Sequence, residues 1–337
     1  MKFDNRFYEI LYFDGQRHEH TAMTATSQIM CVTGASGFLG THIVSSEYTS
    51  ANQVFHLLSR RQDAWDLRQG VVKRSFKGDL RHRYIEDGFI VPGATVINLA
   101  YLKDNDISEN IAAIDFLIDK CITGRASRLI HCSTATVVGK STEREVDELA
   151  DCHPVTAYEH CKLAVESRLR EKCRNHIDLG ILRPTAVFGK GGQNLNSVVD
   201  FCVDGGVWQK TMRLSIFNTR HMNLVSAENV AAAVHFLSGL SHPIGSKHYI
   251  ISEDEQRENT FGAICRVIHE IAKISMPKVF PVPFSHALQK IILRVLHGPS
   301  VKPDRRYKGR HLAMEGFQLP FVFEACIRRY VRAYLGA

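Results

Sequence analysis

The stretch Ile29-Met30-Cys31-Val32-Thr33-Gly34-Ala35-Ser36-Gly37-Phe38-Leu39-Gly40 decides the fold. Its first five residues are apolar or β-branched and read as a strand. Glycine then recurs at positions 34, 37 and 40, leading into a helix-length segment near 38–50. Glycines at that spacing allow a tight turn, a close backbone approach to a diphosphate, and close packing of the next helix on the strand. The first N–H groups of that helix lack intrahelical partners and present a positive dipole end to an anion. Gly34, Ser36, Gly37, Phe38, Leu39 and Gly40 are therefore candidate dinucleotide contacts.

Working outward, strand-like runs recur at 54–58, 71–76, 95–99, 128–132, 178–182 and 247–251, with helical segments near 108–123 and 158–174. Strands separated by helices imply βαβ units and a parallel sheet. The expected fold class is α/β, a Rossmann-type doubly wound parallel sheet with a smaller, mixed C-terminal substrate lobe. Residues 28–185 form the expected dinucleotide-binding domain, with strand 247–251 returning to it, and 186–337 mainly the substrate lobe. In that lobe helices are expected near 193–206, 228–237, 260–273, 285–297 and 320–334. Residues 1–27 read as an N-terminal extension, with a short strand or hairpin over 8–13.

The chain has 337 residues, 45% hydrophobic and 23% charged, with a formal charge of +7. That is globular composition. No apolar run approaches the roughly 20 residues of a membrane span, and the charged first 20 residues do not read as a secretory signal. Nine cysteines without finger spacings suggest neither a disulfide framework nor a metal site. A reducing cytoplasm is the expected compartment. The basic residues lack a nucleic-acid motif or a stripe with interleaved aromatics, so no nucleic-acid partner is expected.

The second strand ends in Ser59-Arg60-Arg61, with no acid between 54 and 62. An NAD site commonly places an acid there for the ribose 2′-hydroxyl, whereas Arg suits a 2′-phosphate. Arg60 and Arg61 thus point to NADP, with NAD as the alternative. Asp79, followed by Leu80, closes the third strand, where a carboxylate could accept from an adenine amino group.

Tyr158-Glu159-His160-Cys161-Lys162 puts a phenol and an ammonium on one helical face. A nearby cation stabilises a phenolate, so Tyr158 can exchange a proton with a carbinol or carbonyl while a nicotinamide exchanges hydride. Ser133 and Thr134, at the carboxyl end of strand 128–132, offer hydroxyls facing the ligand crevice.

With Gly78-Asp79-Leu80, Val96-Ile97-Asn98-Leu99-Ala100, Asn110, residues 133–139 (Ser-Thr-Ala-Thr-Val-Val-Gly), Glu166, Leu182-Arg183-Pro184, Asn223-Leu224-Val225 and Asn229-Val230-Ala231, these motifs occur in a fixed order. As a set the chain resembles the extended short-chain dehydrogenase/reductase family, its nucleotide-sugar epimerases, dehydratases and ketoreductases, over about residues 29–255. The resemblance implies Thr134, Tyr158 and Lys162 as catalytic residues. It implies that Leu99 and Ala100 line the cofactor, that backbone after Pro184 lies near the nicotinamide amide, and that Asn110 shapes the active site. Arg220 is a further candidate on the substrate side. The resemblance also implies a homodimer through the helices near 108–123 and 158–174, with Ile111, Ile114 and Ile118 available.

Two departures narrow the reading. The family's dehydratases carry two acids after the catalytic Thr, where this chain has Ala135 and Thr136, which disfavours dehydration. Ala186 stands where many nucleotide-sugar enzymes carry Asn. The expected function is NADP-dependent hydride transfer on a nucleotide-linked sugar, as a 4-ketoreductase or epimerase. The alternatives are a dehydrogenase of a steroid-like or other hydrophobic alcohol, which the apolar segments around 280–284 and 317–323 would permit, and a non-catalytic NADP-sensing protein.

Overall fold

The computed structural model describes residues 28–45, 49, 53–60, 72–141, 143–278, 291–292 and 304–336. The expected extension at 1–27, Arg61, the apolar stretch 280–284 and nearly all of the helix expected at 285–297 lie outside them.

The strand-like runs between 29 and 251 pair into one sheet. In chain order the elements are β1 (Gln28–Thr33), α1 (Phe38–Val44), β2 (Gln53–Ser59), β3 (Val72–Asp79), β4 (Tyr84–Ile85), β5 (Thr95–Asn98), α2 (Ile107–Thr123), β6 (Arg128–Cys132), β7 (Glu145–Val146), α3 (Ala157–Cys173) and β8 (Asp178–Pro184). There follow β9 (Ala186–Phe188), α4 (Asn196–Asp204), α5 (Val207–Phe217), β10 (Leu224–Ser226), α6 (Ala227–Gly239), β11 (His248–Ile251), α7 (Phe261–Ala272), β12 (Arg306–Tyr307), α8 (Arg310–Met314) and α9 (Phe323–Leu335). The sheet order is β11-β8-β6-β5-β1-β2-β3-β4, parallel except for β4 against β3. This is the doubly wound α/β arrangement.

Alternation along the strands feeds two cores, because successive side chains leave opposite faces. Met30 and Val32 pack with Ile43 of α1 and Val230, Val234 and Leu237 of α6. Cys31, Val96 and Leu129 pack with Ile114, Leu117 and Ile118 of α2 and Val165, Leu169 and Cys173 of α3. So α1 leaves β1 for one face, and α2 leaves β5 for the other. A third core joins α4, α5, α7 and α9 around Phe188, Leu214, Phe261 and Phe323.

Local chemistry sets the helix starts that matter. Asp106 caps α2 by accepting from the Glu109 amide at 3.0 Å. Thr156 and Glu159 form a reciprocal capping box on α3. The helix expected at 193–206 does end at Gly205, but a second one, α5, begins directly after Gly206, whose extended backbone (φ −62°, ψ 145°) caps it. Thr211, Leu214 and Phe217 give that helix a buried stripe. On α2, Ile114 and Ile118 are buried in the chain's own core and Ile111 packs against it. The outward sides of α2 and α3 meet through Arg168–Asp115 at 2.7 Å and Lys172–Asp119 at 2.9 Å.

One buried ion pair ties α3 to the sheet. Arg183 of β8 donates to both carboxylate oxygens of Glu166, at 2.9 and 2.6 Å, and Arg170 adds a third contact at 3.2 Å. Burial opposes ionisation of Glu166, but the Arg183 hydrogen bonds and charge prevail, and its pKa is lowered. A depressed carboxyl pKa gives stability that is full above the ordinary value of 4.5 and is lost as pH falls below it through the folded pKa. Glu166→Gln should therefore cost about 3–5 kcal/mol in urea unfolding at pH 7, with the gap to wild type closing as the pH drops below 4.5. A gap that does not change with pH would mean that packing, not charge, links α3 to β8.

Candidate active site

The glycine turn sits where the two faces of the sheet part. Gly34 adopts φ +68°, and a Cβ there would meet the Ala100 amide nitrogen at 3.0 Å and the Leu99 carbonyl carbon at 3.1 Å. At Gly40 a Cβ would lie 2.4 Å from the Ala35 carbonyl oxygen. Only glycine lets the turn and α1 come this close to the end of β5. Gly37 caps α1 without a side-chain hydrogen bond, and no acid occupies the first turn. The N-terminal amides of α1 thus keep their donor capacity for an anion.

A cleft of about 640 Å³ opens over this turn. Gly34, Gly37, Phe38, Leu39, Gly40 and Leu99 line one part of it, and Ser133, Thr134, Tyr158, Lys162 and Pro184 another. The structure therefore gathers most of the residues singled out in the sequence around one cavity. Ala100 lies against Gly34 beneath it. Arg60, exposed, stands two residues beyond Leu58, which pairs with Thr33, so it flanks the glycine turn. Asp79 accepts from the Arg81 amide at 2.9 Å, and Leu80 is buried; neither lines the cleft.

Asn110 is buried beneath the loop after β5 and clamps it. Its Oδ1 accepts from the Leu102 amide at 3.1 Å, and its Nδ2 donates to the Leu102 and Asp106 carbonyls at 3.1 and 2.8 Å. Arg220 lies between α5 and β10 in the chain and is not among the residues lining the cleft. Its backbone bonds Phe217 and Phe261, while its Nε is buried without a partner, and burial lowers its pKa.

The phenol of Tyr158 is raised to about 12, chiefly by burial, with the Cys132 thiol adding to the shift and a Thr134 hydrogen bond opposing it. At neutral pH it is a proton donor. The Thr134 hydroxyl lies 3.0 Å from that of Thr136 and accepts from the Thr136 amide at 3.3 Å. Ser133 is buried, with its hydroxyl beside the Glu166 carboxylate, whose pKa it helps to lower. Lys162 is buried too, and burial lowers its pKa although Glu166 pulls the other way. Its ammonium donates to the Cys132 carbonyl at 3.2 Å and lies 4.4 Å from the ring centre of Tyr101.

Two residues in this cluster escape a reading of the sequence. Tyr101 meets the Tyr158 ring edge-to-face, centroids 5.4 Å apart at 90°. It directly follows Leu99-Ala100, but nothing local signals a lysine far along the chain. His131 carries a usable signal: an imidazole inside an otherwise apolar strand. Asn98 accepts from the Thr33 hydroxyl at 2.6 Å and bonds His131 Nδ1 through Nδ2 at 3.0 Å. Burial first, then the Lys162 charge, lowers the His131 pKa to about 3, so the ring is neutral and its Nε2 has no partner.

Among the described residues there is no group of three or more His, Cys, Asp or Glu placed to hold a metal, and no helix long and apolar enough to cross a membrane. All nine cysteines are free thiols.

The same architecture occurs in known proteins. The chain is similar to a dTDP-glucose 4,6-dehydratase from Bacillus anthracis str. Ames, solved in complex with NAD, at 12% identity and a TM-score of 0.67, over 92% of this chain and 97% of that one. It is similar to a UDP-glucose 4-epimerase from Thermus thermophilus, also in complex with NAD, at 19% identity and a TM-score of 0.64, over 92% and 99% of the two chains. In sequence it is 26% identical to sterol demethylase protein B of Methylococcus capsulatus over 168 residues, 47% of this chain and 51% of that protein. The matched segment spans only about half the length of that relative. The likeness in three dimensions gives the fold, and residues 30–239 match the model of a single family. With the glycine turn, the strand-end hydroxyls and the Tyr-Lys pair in that span, the chain belongs to the NAD-dependent epimerase/dehydratase family of enzymes.

Proposed function

We propose that the protein transfers hydride between NADP and a carbinol or keto carbon of a nucleotide-linked sugar, as a 4-ketoreductase or epimerase. The reading rests on one observation: Thr134, Tyr158 and Lys162 open onto the same cleft as the glycine turn at 34–40. Residues 28–185, with β11, would hold the cofactor, and most of 186–337 the substrate.

The residues present fit a dinucleotide. Gly34 and Gly40 leave the space that a Cβ would fill, and the uncapped start of α1 offers its amides to a diphosphate. When bound, the nicotinamide supplies or receives the hydride. Tyr158, protonated at neutral pH, gives its proton to the carbonyl oxygen during reduction, and takes one back in the reverse direction. Thr134 holds that oxygen by a hydrogen bond. Lys162 keeps a positive charge beside the phenol, easing formation of the phenolate, and binds the cofactor ribose. Arg60 and Arg61 would recognise the 2′-phosphate.

Elimination of water needs further acids at the reacting carbons. The one carboxylate on the described cleft lining, Glu159, is committed to accepting from the Val155 and Thr156 amides at 2.7 and 3.1 Å. That supports a reductase or epimerase over a dehydratase. The similarity to sterol demethylase protein B favours a second substrate class, a hydrophobic alcohol, and Phe38, Leu39, Leu99 and Val187 give the cleft apolar walls.

NADPH oxidation followed with a nucleotide-linked 4-ketosugar, against NADP reduction with a sterol-like alcohol, separates the two classes. On the substrate that turns over, Tyr158→Phe should lower kcat about 10²–10⁴-fold while NADPH binding is kept; wild-type rates would remove the mechanism and leave a cofactor-sensing protein. Calorimetry should show NADPH bound at least about tenfold tighter than NADH, with the preference shrinking in Arg60→Ala. Equal affinities would overturn the assignment of NADP.

A further inference from the structure

Among the described residues lining the cleft, Lys162 is the cation with almost no access to water. An ammonium buried this way is costly unless something replaces its hydration. It donates a hydrogen bond to the Cys132 carbonyl, at 3.2 Å. Glu166, one turn further along α3, attracts it, but that carboxylate already serves Arg183 and Arg170. The ring face of Tyr101, 4.4 Å from Nζ, covers another side, well inside cation–π range. The Tyr158 ring is further off, at 5.9 Å.

Tyr101 is itself held from three directions. Its hydroxyl donates to Asn105 Oδ1 at 2.6 Å, and Asn105 adopts the left-handed conformation at φ +58°. Asn110 fixes the loop on both sides of Leu102. The Tyr101 ring meets Tyr158 edge-to-face, with planes at 90°. Tyr101 is not among the residues lining the cleft. What it touches are the two side chains proposed to do the chemistry.

We infer that Tyr101 is a positioning residue, whose ring face holds the Lys162 ammonium charged and in place while its perpendicular contact with the Tyr158 ring fixes the phenol. This rests on the proposed roles of Lys162 and Tyr158. The groups facing Lys162 are Tyr158, Cys161 and Glu166 from α3, Cys132 and neutral His131 from β6, and Tyr101 from the loop after β5. Burial already lowers the Lys162 pKa. Removing the ring face takes away a stabiliser of the charged form, so the pKa falls further and the ammonium is lost at lower pH.

NADPH affinity, measured by calorimetry from neutral to alkaline pH on the full chain, reads this without a substrate. Tyr101→Leu should weaken NADPH roughly two- to thirtyfold at neutral pH and bring the alkaline loss of binding about one pH unit lower. Tyr101→Phe keeps the ring and loses only the hydroxyl, with its contacts to Asn105 and the Cys161 thiol, so it should restore both the affinity and the pH profile. Tyr101→Met offers a second test if the leucine variant does not fold. Wild-type affinity and profile in Tyr101→Leu or Tyr101→Met would overturn the inference, as would a Tyr101→Phe defect equal to that of Tyr101→Leu. Lys162→Met separates the two levels. If it weakens NADPH while Tyr101→Leu does not, Tyr101 alone is misassigned; if it binds NADPH like wild type, the role of Lys162 falls as well.

Discussion

The site depends on a crossing that has no room for a side chain. β1 and β5 are neighbours in the sheet, yet their helices leave for opposite faces, and the chain must turn sharply where they part. At that point Gly34 packs against the backbone of Leu99 and Ala100, and Gly40 packs against Ala35. The crevice outside the carboxyl ends of the strands is a consequence of this divergence. The cleft over the glycine turn, the strand-end hydroxyls of β6 and the first turns of α3 all open into it because the sheet is parallel and its order reverses there.

The second constraint is a chain of buried polar groups behind the cleft. Arg183 holds Glu166, Glu166 attracts Lys162, Lys162 leans on the Cys132 carbonyl and the Tyr101 ring, and Tyr101 meets Tyr158. Each is costly when unpaired and tolerated when paired. Two side chains proposed to do the chemistry, one turn apart on α3, are thereby held by partners on three other segments. The neutral His131 and the Asn98–Thr33 bonds complete its inner side without adding a charge near the lysine.

What can be read in the sequence follows from range. The seven longer strands β1, β2, β3, β5, β6, β8 and β11 are legible as short runs set between helical segments, and the glycine turn because its spacing is local, whereas the two- and three-residue strands β4, β7, β9 and β10 are too short to show a pattern. Tyr158 and Lys162 are legible as a pair because i and i+4 share a helical face. The helix α5 is not, because Gly205-Gly206 reads as a stop, although Gly206 is the extended cap that starts the next helix. Tyr101 is hidden because its meaning lies in a ring–ammonium contact across two elements. Asn110 is reached by resemblance, but its contacts, a clamp on the loop carrying Tyr101, belong to the tertiary structure. Arg220 is legible only as a charged residue beside a motif match; that its Nε is buried without a partner belongs to the tertiary structure.

The central claim is that one dinucleotide spans this cleft, with its diphosphate on the 34–40 turn and its nicotinamide beside Thr134 and Tyr158. A crystal structure of the protein grown with NADP tests it most directly. Diphosphate oxygens are expected on the amides at the start of α1, the Lys162 ammonium on the nicotinamide ribose, and the nicotinamide ring facing the Tyr158 hydroxyl. A dinucleotide bound elsewhere, or bound in the cleft with its nicotinamide turned away from Tyr158, would contradict it.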